Sequence, residues 1–325
     1  MKIGLAFPSM PESIADVRSY ARWAREHPGT TLWMGHSTLI DAASLASYLA
    51  GSGIRVPFGF GVSLIPLMHP MHAAAVARSI SVLSNNPISF GVGISSQEFV
   101  SAVSGAPYRK PATTVNEYLK VMKSALSGQP FQFEGEQFSV SGSIHPLDAP
   151  GVEVGAGVLR PAMAERIRDV ADFAITWLCP PAYIANVIAP RLRGAAPEAG
   201  RGPRLVASVQ FLLDRRGIDP VNAMRDININ HLKAPHYRDM IRQAGIEVED
   251  ADSIETIARR SVEADVFMYG SARTIASKLR SLADAGVDEV VLNPAAAYLA
   301  LGTAPALQDM DEVLSELDLV TEPNM

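Results

Sequence analysis

Short, densely apolar runs recur along the chain, and the stretches between them place apolar residues at intervals of three and four. The first pattern predicts buried strands and the second predicts amphipathic helices. "KIGLAF" is followed by "SIADVRSYARWAREH", "TTLWM" by "LIDAASLASYLAGSG", and "RVPFGFGVSLI" by "HAAAVARSISVLS". "PISFGVG" then precedes "TTVNEYLKVMKSALSG", "GVEVGAG" precedes "AMAERIRDV", and "DFAITWL" precedes "AYIANVIAPRLRGA". "PRLVASVQFLL" leads into a long polar and helical region, and "DEVVLNPA" precedes "PALQDMDEVLSELDLV". Strands alternating with helices argue for a parallel sheet. Eight such units in one chain fit a closed (β/α)₈ TIM barrel, with a doubly wound open sheet as the alternative. Two stretches exceed the eightfold pattern. "QPFQFEGEQFSVSGSIHPLDAP" predicts a small hairpin inserted before strand 5, and Gly217 to about Met268 forms an excursion between strands 7 and 8. Residues 1–325 are expected to form a single domain.

Composition narrows the class. A net charge of −6 with scattered basic residues gives no nucleic-acid footprint. The densest basic cluster, "RLRGAAPEAGRGPR", reads as a solvated connection. Cys179 is the one cysteine, so an internal disulfide and a multi-cysteine metal site are excluded. The His and carboxylate positions show no metal-ligand spacing. No apolar run has the length of a membrane span, and "MKIGLAFPSM" is too brief for a signal sequence. A cytoplasmic protein acting on a small molecule is expected.

In a (β/α)₈ barrel the chemistry sits at the C-terminal ends of the strands. His36 follows strand 2 and is the first candidate for a catalytic group, against the plainer role of a loop histidine. Gly59 and Gly61 lie two apart, on one face of strand 3, where glycine weakens a strand unless something approaches closely. His69 precedes Pro70 and suits a helix start, and His72 falls on that helix. Strand 4 ends in Gly91 and Gly93, followed by Ser95 and Ser96. Strand 5 ends in Gly155 and Gly157, with Pro161 placed to begin a helix. Gly270 and Ser271 precede "ARTIASKLRSL" and suit a helix cap. Each glycine taken singly fits a tight turn or close packing. A flat ring and a phosphate laid across the barrel mouth would account for them jointly.

The segments "GVSLIPLMHP", "FGVGISSQ", "YRKPATTVNEYL", "FEGEQFSV", "ADFAITWLCPP", "PHYRDMIRQAG" and "LRSLADAGVDEVVLNP" resemble the bacterial-luciferase-like superfamily of flavin and deazaflavin enzymes, nearly end to end. "TWLCPP" and "PHYRDM" look most like a subgroup using the 5-deazaflavin coenzyme F420. The resemblance implies a cis peptide and bulge at Gly61–Val62 against the cofactor ring. It implies that His36 orients substrate or handles a proton, with Ser63, Gly93, Ser95, Ser96 and Trp177 beside the ring. It assigns Gly155, Ala156 and Gly157 to a phosphate-binding turn, and Gly270 and Ser271 to the cofactor tail or phosphate. A homodimer is expected by analogy. The chain departs from the subgroup at "GISSQ", where a histidine is missing, and at "GVLRP", where Arg160 replaces a glycine.

Three functions follow from this reading. The first is a coenzyme F420-dependent oxidoreductase moving a hydride to a C=C or C=N bond, with His36 as general acid and Glu12 and Tyr108 as remote alternatives. Arg109, Lys110 and Arg160 are candidates for the carboxylate-rich cofactor tail. The second is an FMN-dependent monooxygenase using reduced flavin and oxygen. The third is a non-catalytic flavin-binding barrel.

Overall fold

Eleven strands occur among the described residues: β1 (Lys2–Ala6), β2 (Thr31–Met34), β3 (Phe58–Leu64), β4 (Ile88–Gly93), β5 (Phe131–Glu134), β6 (Ser139–Gly142), β7 (Val152–Gly157), β8 (Phe173–Trp177), β9 (Arg204–Leu213), β10 (Phe267–Gly270) and β11 (Glu289–Asn293). The computed structural model describes residues 1–194, 202–215 and 217–318. The main sheet runs β10-β9-β11-β1-β2-β3-β4-β7-β8, and β9 also pairs with β8, so eight strands close into a (β/α)₈ barrel. β5 and β6 form the separate antiparallel hairpin expected before the fifth barrel strand. All four residues of β2 and all five of β11 are buried, which is why their centres, Leu32–Met34 and Val290–Leu292, are apolar without alternation.

Strand β10 and two helices, Gln97–Ser104 and Ala295–Leu301, escaped the sequence reading. β10 pairs in parallel with the last residues of β9, from Phe267 opposite Gln210 to Gly270 opposite Leu213. Its four residues are too few to show a period. A helix over Gln97–Ser104 precedes the expected one, which spans Pro111–Leu126. The excursion after β9 contains helices over Pro220–Lys233, Pro235–Gln243 and Ile254–Glu263. Positions 195–201 of the basic connection and the end of the last helical segment lie outside the described residues.

The packing divides into two compact units, Met10–Ile175 with Arg191–Arg204, and Met1–Ser9 with Thr176–Pro190 and Leu205–Met325. In the first unit, helices are capped by local side chains. Ser13, Asp41, His69 and Ser96 each accept a backbone N–H of the first turn. Ala73, Ala74 and Ala77 are fully buried, and their small size lets helix Pro70–Ser84 lie close to its neighbours.

The "NEYL" stretch on helix Pro111–Leu126 ties three connections to this unit. Asn116 Nδ2 donates to Arg166 O (2.6 Å), and Tyr118 OH donates to Met68 O (2.9 Å). The buried Glu117 carboxylate accepts the backbone N–H groups of Glu136, Gln137 and Phe138 at 2.9, 2.8 and 3.2 Å. These groups close the turn of the β5–β6 hairpin. A carboxylate is suited to the place because it accepts several donors and strengthens each bond by its charge. Glu117→Ala should lower unfolding free energy by about 2–3 kcal/mol, because it strands three amide donors. Glu117→Gln, which keeps one acceptor oxygen, should recover part of the loss in urea titrations.

Candidate active site

The glycine question of strand β3 has a structural answer. Phe60 pairs with Phe90, and the next pair on the strand is Ser63 with Val92, so Gly61 and Val62 stand opposite the single Gly91. The Gly61–Val62 peptide is cis, at the bulge that the resemblance implied. A Cβ at Gly59 would overlap the Trp33 indole, and one at Gly61 would come within 2.8 Å of Ile175 Cδ1 and 3.3 Å of Trp33 Cε3. Trp33 is buried and meets Phe173 edge-on, with ring centroids 5.7 Å apart. The missing side chains therefore make room for an indole inside the barrel. Yet Gly61 is exposed, while Phe58 and Phe60 before it are buried. The bulge presents bare backbone to the outside.

The glycines on the neighbouring strands follow the same logic. A Cβ at Gly93 would overlap Val62 Cγ2, and one at Gly155 would overlap Phe173. At Gly91 the obstacle is Phe60 O, with the Phe173 ring beyond it. Gly157 differs: its Cβ would meet Val62 Cγ1 at 3.5 Å, an ordinary contact. Ala156 is fully buried and pairs with Val92 and Ala174, so it forms barrel wall. Close packing thus accounts for most of these glycines, and Gly157 is the one with room to spare.

His36 follows Gly35, at which a Cβ would lie 3.8 Å from Gly61 O. His36 is half-buried, its ring meets Phe99 edge-on at 6.4 Å, and its Nε2 has no hydrogen-bond partner among the described residues. Burial lowers its pKa below the ordinary value, against the opposing pull of Asp41. Ser63 is half-buried on β3. Ser95 is exposed and takes a left-handed backbone, φ 67°. Ser96 Oγ accepts Phe99 N (3.2 Å), so it caps helix Gln97–Ser104. His69 likewise caps its helix by accepting Met71 N, as its place before Pro70 suggested. Among the remote candidates, Glu12 and Arg109 are exposed, and Lys110 pairs with Glu136 at 2.5 Å. Burial raises the pKa of Tyr108. Pro161 opens helix Pro161–Ile167 as expected, with Arg160 exposed at its cap.

The second unit carries Trp177, Gly270 and Ser271. Ser271 caps helix Ala272–Asp284 by accepting Thr274 N (3.2 Å), and Gly270 takes φ +144°. Trp177 ends β8, and its ring lies 5.9 Å from that of His231. Tyr237 meets His231 edge-on at 4.9 Å, and His236 lies 4.8 Å from Tyr237. Burial, with a smaller contribution from His236, brings the His231 pKa down to about 4. Burial pushes the Cys179 thiol up to about 12, so it stays protonated. Sequence reading passed over His231 because it sits in a polar helical stretch far along the chain from Trp177. Its one signal was the nearness of "PHYRDM".

The site is thus set in a closed barrel of eight parallel strands whose third is bulged at Gly61–Val62. The family model described as luciferase-like monooxygenase matches residues 1–289. The chain belongs to that family. It is 24% identical over 208 residues to 5,10-methylenetetrahydromethanopterin reductase of Methanolobus tindarius, a match covering 63% of each chain. The chain spans about half the length of the first curated relatives it matches. Among solved structures, the coenzyme F420-dependent tetrahydromethanopterin reductase of Methanopyrus kandleri is similar with a TM-score of 0.73 and 18% identity, covering 99% of both chains. EDTA monooxygenase of Chelativorans sp. BNC1 is similar with a TM-score of 0.74 and 16% identity, covering 99% of this chain and 94% of that one. At these identities the structural likeness establishes the fold.

Two outcomes test this geometry. Gly59→Ala should destabilise the protein by about 1–3 kcal/mol by displacing Trp33, whereas Gly157→Ala should stay within about 0.5 kcal/mol of the parent; chemical denaturation measures both. The second outcome concerns pH. With its folded pKa near 4 and its unfolded pKa near 6.5, His231 binds fewer protons in the native state. Its stabilising contribution is complete above pH 6.5 and is lost as pH falls towards 4. His231→Phe should flatten the fall in melting temperature across that window.

Proposed function

We propose that the protein is a coenzyme F420-dependent oxidoreductase that reduces a C=C or C=N bond of a small metabolite. The observation that carries this reading is the bulge at Gly61–Val62, where Gly61 is exposed and carries no side chain. The residues around it fit a planar tricyclic ring. Val62 packs towards Gly93 and Gly157, Gly61 is exposed, and His36 Nε2 has no hydrogen-bond partner among the described residues. A bound deazaflavin supplies the hydride. The protein's part is to hold the ring, bare one face, and orient the acceptor. Gly61, Val62 and Ser63 back the ring, Gly93, Ser95 and Ser96 border it, and Gly157, the last residue of β7, stands nearest the phosphate, whereas Gly155 and Ala156 are buried strand residues of the barrel wall and not the turn that the resemblance implied.

The lowered pKa leaves His36 neutral at neutral pH. A neutral imidazole orients substrate through a hydrogen bond and relays a proton, rather than carrying a charge into the reaction. Support for a deazaflavin over FMN comes from the "TWLCPP" and "PHYRDM" stretches and from the two reductases among the matches. The EDTA monooxygenase likeness is the basis of the flavin alternative.

Fluorescence titration distinguishes the two. Coenzyme F420 should bind saturably and FMN should not. Gly157→Asp should weaken F420 binding about tenfold or more, as expected for a carboxylate set beside a phosphate. In anaerobic turnover of reduced F420 against a panel of enones and imines, His36→Ala should cut the rate by about 10²–10⁴-fold while cofactor affinity holds. Saturable binding of FMN alone, with turnover that requires oxygen, would overturn the proposal in favour of the monooxygenase.

A further inference from the structure

The connection between β4 and its barrel helix, Pro111–Leu126, carries an element that the eightfold plan does not need. Helix Gln97–Ser104 stands inside this connection and buries a single residue, Val100. Helix Pro111–Leu126 buries nine, from Thr114 to Ala125. An element held by so little buried surface belongs to the low-stability end of a fold and can open while the barrel stays intact. Its two ends are turning points. Ser95, just before the cap, takes a left-handed backbone at φ 67°, and Gly105, just after the last turn, takes one at φ 80°. Glycine adopts that conformation freely, whereas a serine held there is strained, and such strain gathers at segments that switch.

The helix faces His36. Ser96 Oγ accepts Phe99 N at 3.2 Å and so sets the first turn. That turn brings the half-buried Phe99 ring edge-on to the imidazole, with 6.4 Å between centroids. The helix also meets the turn Ile65–Leu67 that follows β3. It therefore lies across the connections that leave β2 and β3, all within the first unit. His36 Nε2 is buried and has no hydrogen-bond partner among the described residues. A buried polar atom left in that state is costly, and it cannot act on a substrate that it cannot touch. Both difficulties vanish in a conformer in which the Phe99 ring has swung aside.

We propose that helix Gln97–Ser104 is a hinged lid over His36, which swings about Ser95 and Gly105 to lift Phe99 from the imidazole and admit the substrate. Closed, the Phe99 ring keeps water from the imidazole. Open, Nε2 is free to form a hydrogen bond with an incoming molecule. A rigid barrel leaves its strand-to-helix connections free to move in this way, and closure then shields the reacting groups. The purpose of the lid rests on the function proposed above, in which His36 meets the substrate. Its motion does not depend on which cofactor binds.

The test uses the full-chain protein without cofactor. Val100→Cys places a thiol at the one buried position of the helix, and mass spectrometry follows its reaction with a disulfide reagent apart from that of the buried Cys179. The introduced thiol should react through local opening, at a rate that urea below the unfolding transition leaves nearly unchanged. In the parent protein, amide protons over 100–104 should be at least about a hundredfold less protected from exchange than those in the middle of helix Pro111–Leu126. That measurement decides the matter if Val100→Cys does not fold. Phe99→Ala tests the cover itself. Burial lowers the His36 pKa in the parent, and Asp41 pulls it upward. With the ring gone, the pKa should rise towards 6.5 in an NMR pH titration. A thiol that reacts with the urea dependence of global unfolding, amides over 100–104 as protected as those of the barrel helix, or an unmoved His36 pKa in Phe99→Ala would each overturn the lid. Failed turnover with coenzyme F420 would instead count against the proposed function alone, since neither cofactor nor substrate enters these measurements.

Discussion

The packing of Trp33 against Gly59 and Gly61 is the constraint on which the candidate site depends. An indole inside the barrel needs a wall without side chains, and β3 provides it with two glycines on one face. The same glycines leave the strand able to bulge, so that Gly61 and Val62 oppose one residue of β4. Val62 then needs space of its own, which Gly93 and Gly157 leave open. Trp33 thus accounts for the two glycines of β3, and Val62 for Gly93 on the next strand. The outward consequence is an exposed glycine backbone at Gly61, at the end of the barrel where such folds bind ligands.

The surroundings of that backbone are fixed by polar contacts away from it. Glu117 gathers the hairpin turn, Asn116 holds the end of helix Pro161–Ile167, and Tyr118 reaches Met68 just before helix Pro70–Ser84. These three consecutive residues point in different directions around one helix, as the 100° step between neighbours requires. The "NEYL" stretch, part of one segment that carries the family resemblance, is therefore a structural tie. In the second unit Arg215 pairs with the fully buried Asp309 and also approaches Glu312, joining the end of β9 to the last helix. Burial raises the Asp309 pKa while the guanidinium opposes that shift. A buried carboxylate of this kind is tolerated because a charged partner meets it.

The eight barrel strands, the inserted hairpin, the cap at His69 and the cap at Ser271 were legible in the chain, since each is a local matter. A buried strand must be apolar along its length, and a cap must offer an oxygen or ring nitrogen next to the first turn. The bulge at Gly61–Val62 was legible through family resemblance, and Gly59 and Gly61 pointed to a close approach. What approached them was not readable, because Trp33 lies on another strand and its register with Gly59 is a property of the sheet. β10 and helix Gln97–Ser104 were missed for the opposite reason: they are too short for a period to emerge.

The sequence by itself determined the class of fold, the close approach at Gly59 and Gly61, and the ends of strands where chemistry could gather. Periodicity and local chain geometry are enough for those, because they act over a few residues. Only the tertiary structure decided which side chains fill the glycine gaps, that Ser96 is committed to a helix cap, and that His231 stands beside Trp177 across more than fifty positions of chain. It also decided the charge of the two histidines, since burial lowers both pKa values and burial is set by the packing of distant segments.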